Sequence, residues 1–297
     1  MPKRAIPVLL QTLAERIEAA TALDTPAAAV AQLAEKPLAR SAELRRWLSG
    51  TDLGHPVHPL LVALPIGSFT AASVLDLTGQ PAAAKRLIGL GLLTAIPTAM
   101  TGGSDWVYTT GAERRLGFVH AATNWLAIAG YAASWRARRR GRRAKGMALA
   151  LTGAGLLSAG GWLGGHLVYA RGVGVDTTAF LVAGTDWQDA IAEADVAEGQ
   201  PVGVEVAGVP VVLVRQGADI YALDDRCSHR GGPLHDGELV GSCLRCPWHD
   251  SGFAIADGQV LDGPATRPQR VWQVRRRDGR IQVRIGDEPG SLRRNVV

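Results

Sequence analysis

The sequence predicts a chain in two parts: an all-α bundle of four membrane-crossing helices, followed by an all-β domain of antiparallel strands packed as a sandwich. Three observations carry this expectation. Hydrophobic residues make up 47% and charged ones 20% of the 297 residues, but the two classes are segregated along the chain. Beyond Arg171 the long apolar stretches give way to short alternating runs punctuated by glycine. All three cysteines lie between residues 227 and 246, which excludes a disulfide framework and points to one localised site. A chain of this length also exceeds the roughly 100 to 200 residues of one domain.

Residues 1–57 come first. LLQTLAERIEAA and SAELRRWLSG repeat apolar positions at three and four residues, the pattern of short amphipathic helices. The apolar run Ala5 to Leu10 is broken by Pro7 and stops at Gln11, so no signal-peptide core is expected there.

The membrane region is read over 58–171. Four uncharged or nearly uncharged stretches, His58–Leu77, Leu87–Met100, Gly117–Trp135 and Met147–Tyr169, approach the roughly 20 residues a span needs, the second only if it continues to Gly103. Two of them are rich in Gly and Ala, which lets helices approach closely in lipid. Loops 78–86 and 136–145 hold Lys85, Arg86 and a run of arginines without an acid, whereas 101–117 balances Arg114 and Arg115 with Asp105 and Glu113. Basic loops stay in the cytoplasm. A multi-pass protein of a bacterial membrane with both termini on the outer face is therefore expected. The formal net charge of +5 sits mostly beside the spans, in contact with lipid headgroups, and calls for no nucleic acid. A soluble pair of buried hairpins would leave this asymmetry unexplained.

After a tether over 172–185, strands are expected at Val202–Val206, Val209–Val214 and Ile220–Leu223, with a turn at Asp278-Gly279. A tail, 288–297, ends the chain. Within the β domain stand Cys227-Ser228-His229 and Cys246-Pro247-Trp248-His249. Loops at one tip of a β structure would bring two thiolates and two imidazoles to one centre. Zinc takes the same donors, although Cys-x-His is tight for an ordinary zinc knuckle. Cys243 reads as a small buried strand residue and His235 as a loop-packing histidine.

The double motif resembles the Rieske family over 186–287. The resemblance implies a [2Fe–2S] cluster, with Cys227 and Cys246 on one iron and His229 and His249 on the other. Electron transfer is the activity it implies. The bridging disulfide of high-potential members is replaced here by Gly232 and Trp248, Ser251 is retained, and Phe253 stands where those members have Tyr. An intermediate potential is the expectation, because donors to the sulfurs tune such clusters. Rieske oxygenases also need an iron held by two histidines and a carboxylate, and only His235 is to spare, so no catalytic residue is assigned and a stand-alone oxygenase is not expected.

The segments GHPVHPLLVALPIG, FVHAATNW and GGHLVYARGVGV resemble a bacterial membrane family with a His-Pro-x-His-Pro opening, whose chemistry is not established. Ionisable groups in a bundle interior are costly and often functional. The expectation is a b-type haem held by His120 and His166, with His58 as substitute ligand or quinone contact; capping of helix ends is the alternative. Arg142-Arg143, ahead of the last span, also have the form of a twin-arginine export signal for a folded domain.

The function expected is thus membrane-bound electron transfer with a redox partner protein near the membrane surface. The alternative is a ferredoxin component serving a separate oxygenase or reductase, with the helices only as anchor.

Overall fold

The computed structural model describes residues 5–182 and 184–285; the expected tail 288–297 lies outside them. The chain divides into two compact units, one of residues 1–41 and 56–173, the other of 42–55 and 174–297. The second unit thus has two pieces, with residues 56–173 of the first between them. This differs from the expected grouping of 1–57. An amphipathic helix looks the same in sequence whichever surface it covers.

Helices α1 (Ala5–Ala19), α2 (Asp24–Arg40) and α3 (Ala42–Ser49) come first, α3 belonging to the second unit. A short α4 (His58–Leu61) leads into α5 (Ala63–Leu77), followed by α6 (Pro81–Trp106), α7 (Gly111–Arg139) and α8 (Arg143–Tyr169). Among the described residues three stretches, His58–Leu77, Pro81–Trp106 and Arg143–Tyr169, are long and apolar enough to cross a membrane. Helix α7 has 29 residues but is less apolar, because it carries His120, Asn124 and Tyr131. Large apolar side chains such as Leu64, Leu93, Ile96 and Leu126 point outward, as lipid-facing residues do. Inside, Phe69 and Tyr131 stack with ring centroids 3.8 Å apart over buried Ile88. Asp76 and Arg138 form a buried ion pair, each charge tolerable only because the other is there. On α1, Ala14 packs against Leu116 and Leu163.

In the second unit, six strands form a sheet in the order β1-β10-β9-β4-β3-β2: β1 (Gln188–Ala192), β2 (Val202–Val206), β3 (Val209–Gln216), β4 (Asp219–Asp224), β9 (Val271–Arg277) and β10 (Arg280–Ile285). Four short strands, β5 (Glu238–Val240), β6 (Cys243–Arg245), β7 (Gly252–Ala254) and β8 (Val260–Asp262), form a second sheet in chain order. Every strand pairing is antiparallel. At the β9–β10 turn Asp278 and Gly279 both take positive φ, 52° and 74°, which a two-residue hairpin requires and which Asp-Gly tolerates. One face of β3 packs on Trp272 and Ile281, while Val212 and Val214 on the other meet Leu244 and Phe253 of the smaller sheet.

The piece 42–55 is fastened to this unit. Arg45 donates to Asp262 Oδ2 at 2.8 Å, Arg46 to the Leu261 carbonyl at 2.9 Å, and Thr51 to the Ala265 carbonyl at 3.0 Å. The stretch expected as a tether is docked as well. Thr177 Oγ1 donates to the Cys227 carbonyl at 2.8 Å, and Arg270 to that of Leu181 at 3.0 Å.

Candidate functional site

Two loops carry the paired motifs. The first joins β4 to β5 and holds Cys227 and His229; the second is the β6–β7 turn and holds Cys246 and His249. Their backbones repeat one design. Cys227 N–H donates to the Gly232 carbonyl and Gly231 N–H returns to the Cys227 carbonyl, at 2.9 and 2.8 Å; Cys246 N–H donates to Ser251 and receives Asp250 N–H, at 2.9 and 3.1 Å. The fourth residue after each cysteine is left-handed, Gly231 at φ 77° and Asp250 at 62°. Gly suits this, and Asp is among the few other residues that tolerate it.

The two thiols lie within hydrogen-bonding reach of each other, with Cys227 donating to Cys246. That bond pulls Cys246 down to about 7 and, with burial, pushes Cys227 up. The His229 and His249 rings stand edge to face, centroids 5.2 Å apart. Burial above all, then His249 and Arg230, holds His229 down to about 3, in the neutral form that binds metal. Among the described residues no three His, Cys, Asp or Glu groups converge as they would on a single ion. The donors come instead as a thiol pair and an imidazole pair, which fits a two-iron centre better than one tetrahedral zinc. Gly232 leaves room beside the thiols, since a Cβ there would sit 2.9 Å from Cys246 Sγ and 3.0 Å from the Trp248 ring. Trp248 therefore lies against Gly232, at the two positions where a bridging disulfide was expected to be missing.

Around the loops, Ser251 is fully buried and its Oγ accepts the Ala265 N–H at 3.0 Å, which leaves its own proton available to a sulfur. Phe253 is buried in the core. His235 Nδ1 pairs with Asp225 Oδ2 at 2.7 Å, in keeping with loop packing, and Cys243 is half-buried on β6.

Gln269 carries no motif and was not singled out by the sequence. Its Nε2 donates to the Asp224 and Arg226 carbonyls at 2.8 and 2.9 Å, and its Oε1 accepts the Ser228 N–H at 2.9 Å. One buried side chain thus holds the end of β4 and two peptide groups of the first loop. Below it, Asp224 accepts from Trp272 Nε1 at 2.8 Å and from the Arg270 guanidinium at 3.0 and 3.1 Å.

The membrane histidines have different partners. His166 Nε2 lies 3.2 Å from Glu18 Oε1 of α1, a carboxylate that Arg171 also binds. His58 Nδ1 lies 3.0 Å from the Thr98 carbonyl, and His120 Nδ1 2.8 Å from that of Gly160.

Residues 186–275 match the Rieske [2Fe–2S] domain family, and residues 54–177 match a predicted membrane protein family, DUF2231. The chain is 32% identical over 100 residues to the ferredoxin component of the naphthalene 1,2-dioxygenase/salicylate 5-hydroxylase systems of a Ralstonia species, covering 34% of this chain and 96% of that one. It is 30% identical over 101 residues to the anthranilate 1,2-dioxygenase ferredoxin subunit of Burkholderia cepacia, covering 34% and 94%. Among solved structures, the ferredoxin of carbazole 1,9a-dioxygenase from Nocardioides aromaticivorans IC177 is 26% identical, covering 33% of this chain and 96% of that one, with a TM-score of 0.32. The chain belongs to the Rieske [2Fe–2S] family through residues 186–275.

Proposed function

We propose that the protein is a membrane-bound electron carrier in which Cys227 and Cys246 hold one iron, and His229 and His249 the other, of a [2Fe–2S] cluster. The observation that carries this is the pairing of thiol with thiol and imidazole with imidazole on two loops of the same backbone design. The cluster supplies a one-electron site. The chain's own residues exclude water from the thiols, keep His229 neutral and, through Ser251, offer a proton to a sulfur. Reconstitution of the full chain with iron and sulfide should give a reversible Rieske-type electron paramagnetic resonance signal that Cys227→Ser and His249→Ala each abolish. A chain that binds stoichiometric zinc instead would overturn the assignment.

The helical unit, on this reading, crosses the membrane four times and relays electrons between the cluster and a haem or quinone. Residues 42–55 and 174–285 belong to one unit, so the chain between them must cross an even number of times; the three apolar helices alone would separate the two pieces. Helix α7 supplies the fourth crossing. The basic loops then place the Rieske unit on the outer face, and Arg142-Arg143 offer an export signal for it. Cysteine labelling at Glu43 and Asp278 should report one and the same side.

A second reading is favoured by the relatives. The ferredoxin components of dioxygenase systems match this chain over nearly their whole length, so the acceptor would be a separate oxygenase and the helices would serve as anchor. Reduction of the cluster by quinol in membranes supports the relay; indifference to quinol supports the anchor.

A further inference from the structure

The helical unit is a duplicated hairpin. Asp76 and Arg138, the buried pair, are 62 residues apart, and the same offset relates His58 to His120, Phe69 to Tyr131, Gly91 to Gly153 and Gly102 to Gly164. It also maps Gly79 onto Gly141, both left-handed, at φ 78° and 72°, and the first residue of α6 onto that of α8. Local packing repeats with the offset. A Cβ on Gly91 would strike the Phe69 ring, and one on Gly153 the Tyr131 ring. The His58 and His120 bonds each reach a carbonyl 40 residues further on.

Equivalent residues also meet each other. Phe69 stacks on Tyr131 and Asp76 pairs with Arg138. A residue meets its own equivalent only beside a two-fold axis. From His58 to Phe69 is about three helical turns and from Phe69 to Asp76 about two, so the three positions form one stripe. The stripes of the two hairpins face each other across a pseudo-two-fold axis, with an ion pair at one end, stacked rings between, and two histidines at the other.

Each histidine is prepared alike. A carbonyl only accepts, so the Nδ1 that meets it carries the proton and Nε2 keeps its lone pair, as metal-binding histidines do. Each ring presses on a glycine of the next helix, where a Cβ would lie 2.8 Å from His58 Cε1 at Gly102 and 2.9 Å from His120 Cε1 at Gly164. The Asn124 amide nitrogen lies 3.3 and 3.4 Å from the two ring nitrogens of His120, but its shortest bond there is to the His120 carbonyl at 2.9 Å. Two imidazoles do not fill the shell of a bare divalent ion, and no third His, Cys, Asp or Glu joins them among the described residues. A porphyrin iron already has four nitrogens in its plane and lacks two ligands on its axis.

We infer that His58 and His120 are the two axial ligands of one iron porphyrin held on the pseudo-two-fold axis. This rests on reading the helical unit as a redox relay, and it replaces the expected pair His120 and His166, since Glu18 holds His166.

The full chain, produced with a haem supply and purified in detergent, is the material for the test. The pyridine haemochrome assay should find about one haem per chain, with the low-spin ferric resonance of two imidazole ligands. His58→Ala and His120→Ala should each lose the haem, whereas His166→Ala should keep it. All three should retain the Rieske signal as a control for folding. His58→Gly should regain haem when imidazole is added, an outcome that misfolding would not give. Haem retained in both His58→Ala and His120→Ala, or lost in His166→Ala alone, overturns the ligand pair while leaving the relay standing. A wild-type chain that binds a divalent ion and no haem also overturns the pair. Absence of haem together with indifference of the cluster to quinol overturns the relay itself.

Discussion

Thr51 Oγ1 lies 3.0 Å from the carbonyl oxygen of Ala265, whose own N–H donates to Ser251 Oγ. A residue ahead of the first membrane helix thereby steadies the hydroxyl that stands two residues beyond His249. Thr51→Val keeps the shape and removes the bond, at a cost of about 1 kcal/mol. Thermal bleaching of the cluster in the full chain should begin at lower temperature, and Arg45→Ala, which removes the closer of the two arginines on Asp262, should act in the same direction. Unchanged bleaching in both variants would mean that residues 42–55 do not brace the site.

Ser251 and Phe253 should tune the cluster in opposite senses. On the proposed reading Ser251→Ala removes a donor to sulfur and should lower the midpoint potential, while Phe253→Tyr adds a hydroxyl and should raise it. A redox titration followed by electron paramagnetic resonance reads both. Wild type is expected between all-cysteine ferredoxins and high-potential Rieske proteins; a value among the former would show that Ser251 gives no donor.

Gln269→Leu should be more damaging than its distance from any motif suggests. The carbonyl that ends β4 and one carbonyl and one N–H of the first loop lose their partner in a buried place, each left at about 1–3 kcal/mol. The expected outcome is a chain that keeps its strands by circular dichroism but carries much less iron. Full iron content in this variant would show that the loop holds its shape without the side chain.

Asp76 and Arg138 should be coupled. Asp76→Asn or Arg138→Met alone leaves a lone buried charge and should cost about 3–5 kcal/mol, whereas Asp76→Leu combined with Arg138→Met should recover most of it. Thermal denaturation in detergent of the singles and the double measures the coupling; additive losses would mean that the two charges do not depend on each other.

Much of this was legible in the sequence. The two Cys-His motifs disclosed the loops because thiols and imidazoles at such short spacing have few other uses, and β2 was readable from its alternation and flanking glycines. Gln269 was not, because its work is done on peptide groups distant in sequence and a lone glutamine carries no pattern. Arg45 and Arg46 read as the polar face of a helix, since the sequence does not say that the surface they cover includes Asp262. The repeat was present throughout, but its halves agree mainly where helices touch. At Asp76 and Arg138, or Phe69 and Tyr131, equivalent positions differ so that they can pair. The third stretch, expected from its lack of charge, fell short in apolarity because His120 and Asn124 serve the bundle interior.

The division of the second unit into 42–55 and 174–285 also sets an order of events during synthesis. Arg45 and Thr51 leave the ribosome before any membrane helix, while Asp262 and Ala265 follow only after the last. The early segment must therefore wait, undocked, through the insertion of the whole helical unit, and its contacts span more than two hundred residues. Such long-range pairings close slowly. On the proposed four-span reading, completion of the Rieske head becomes a checkpoint for helices threaded with the correct parity.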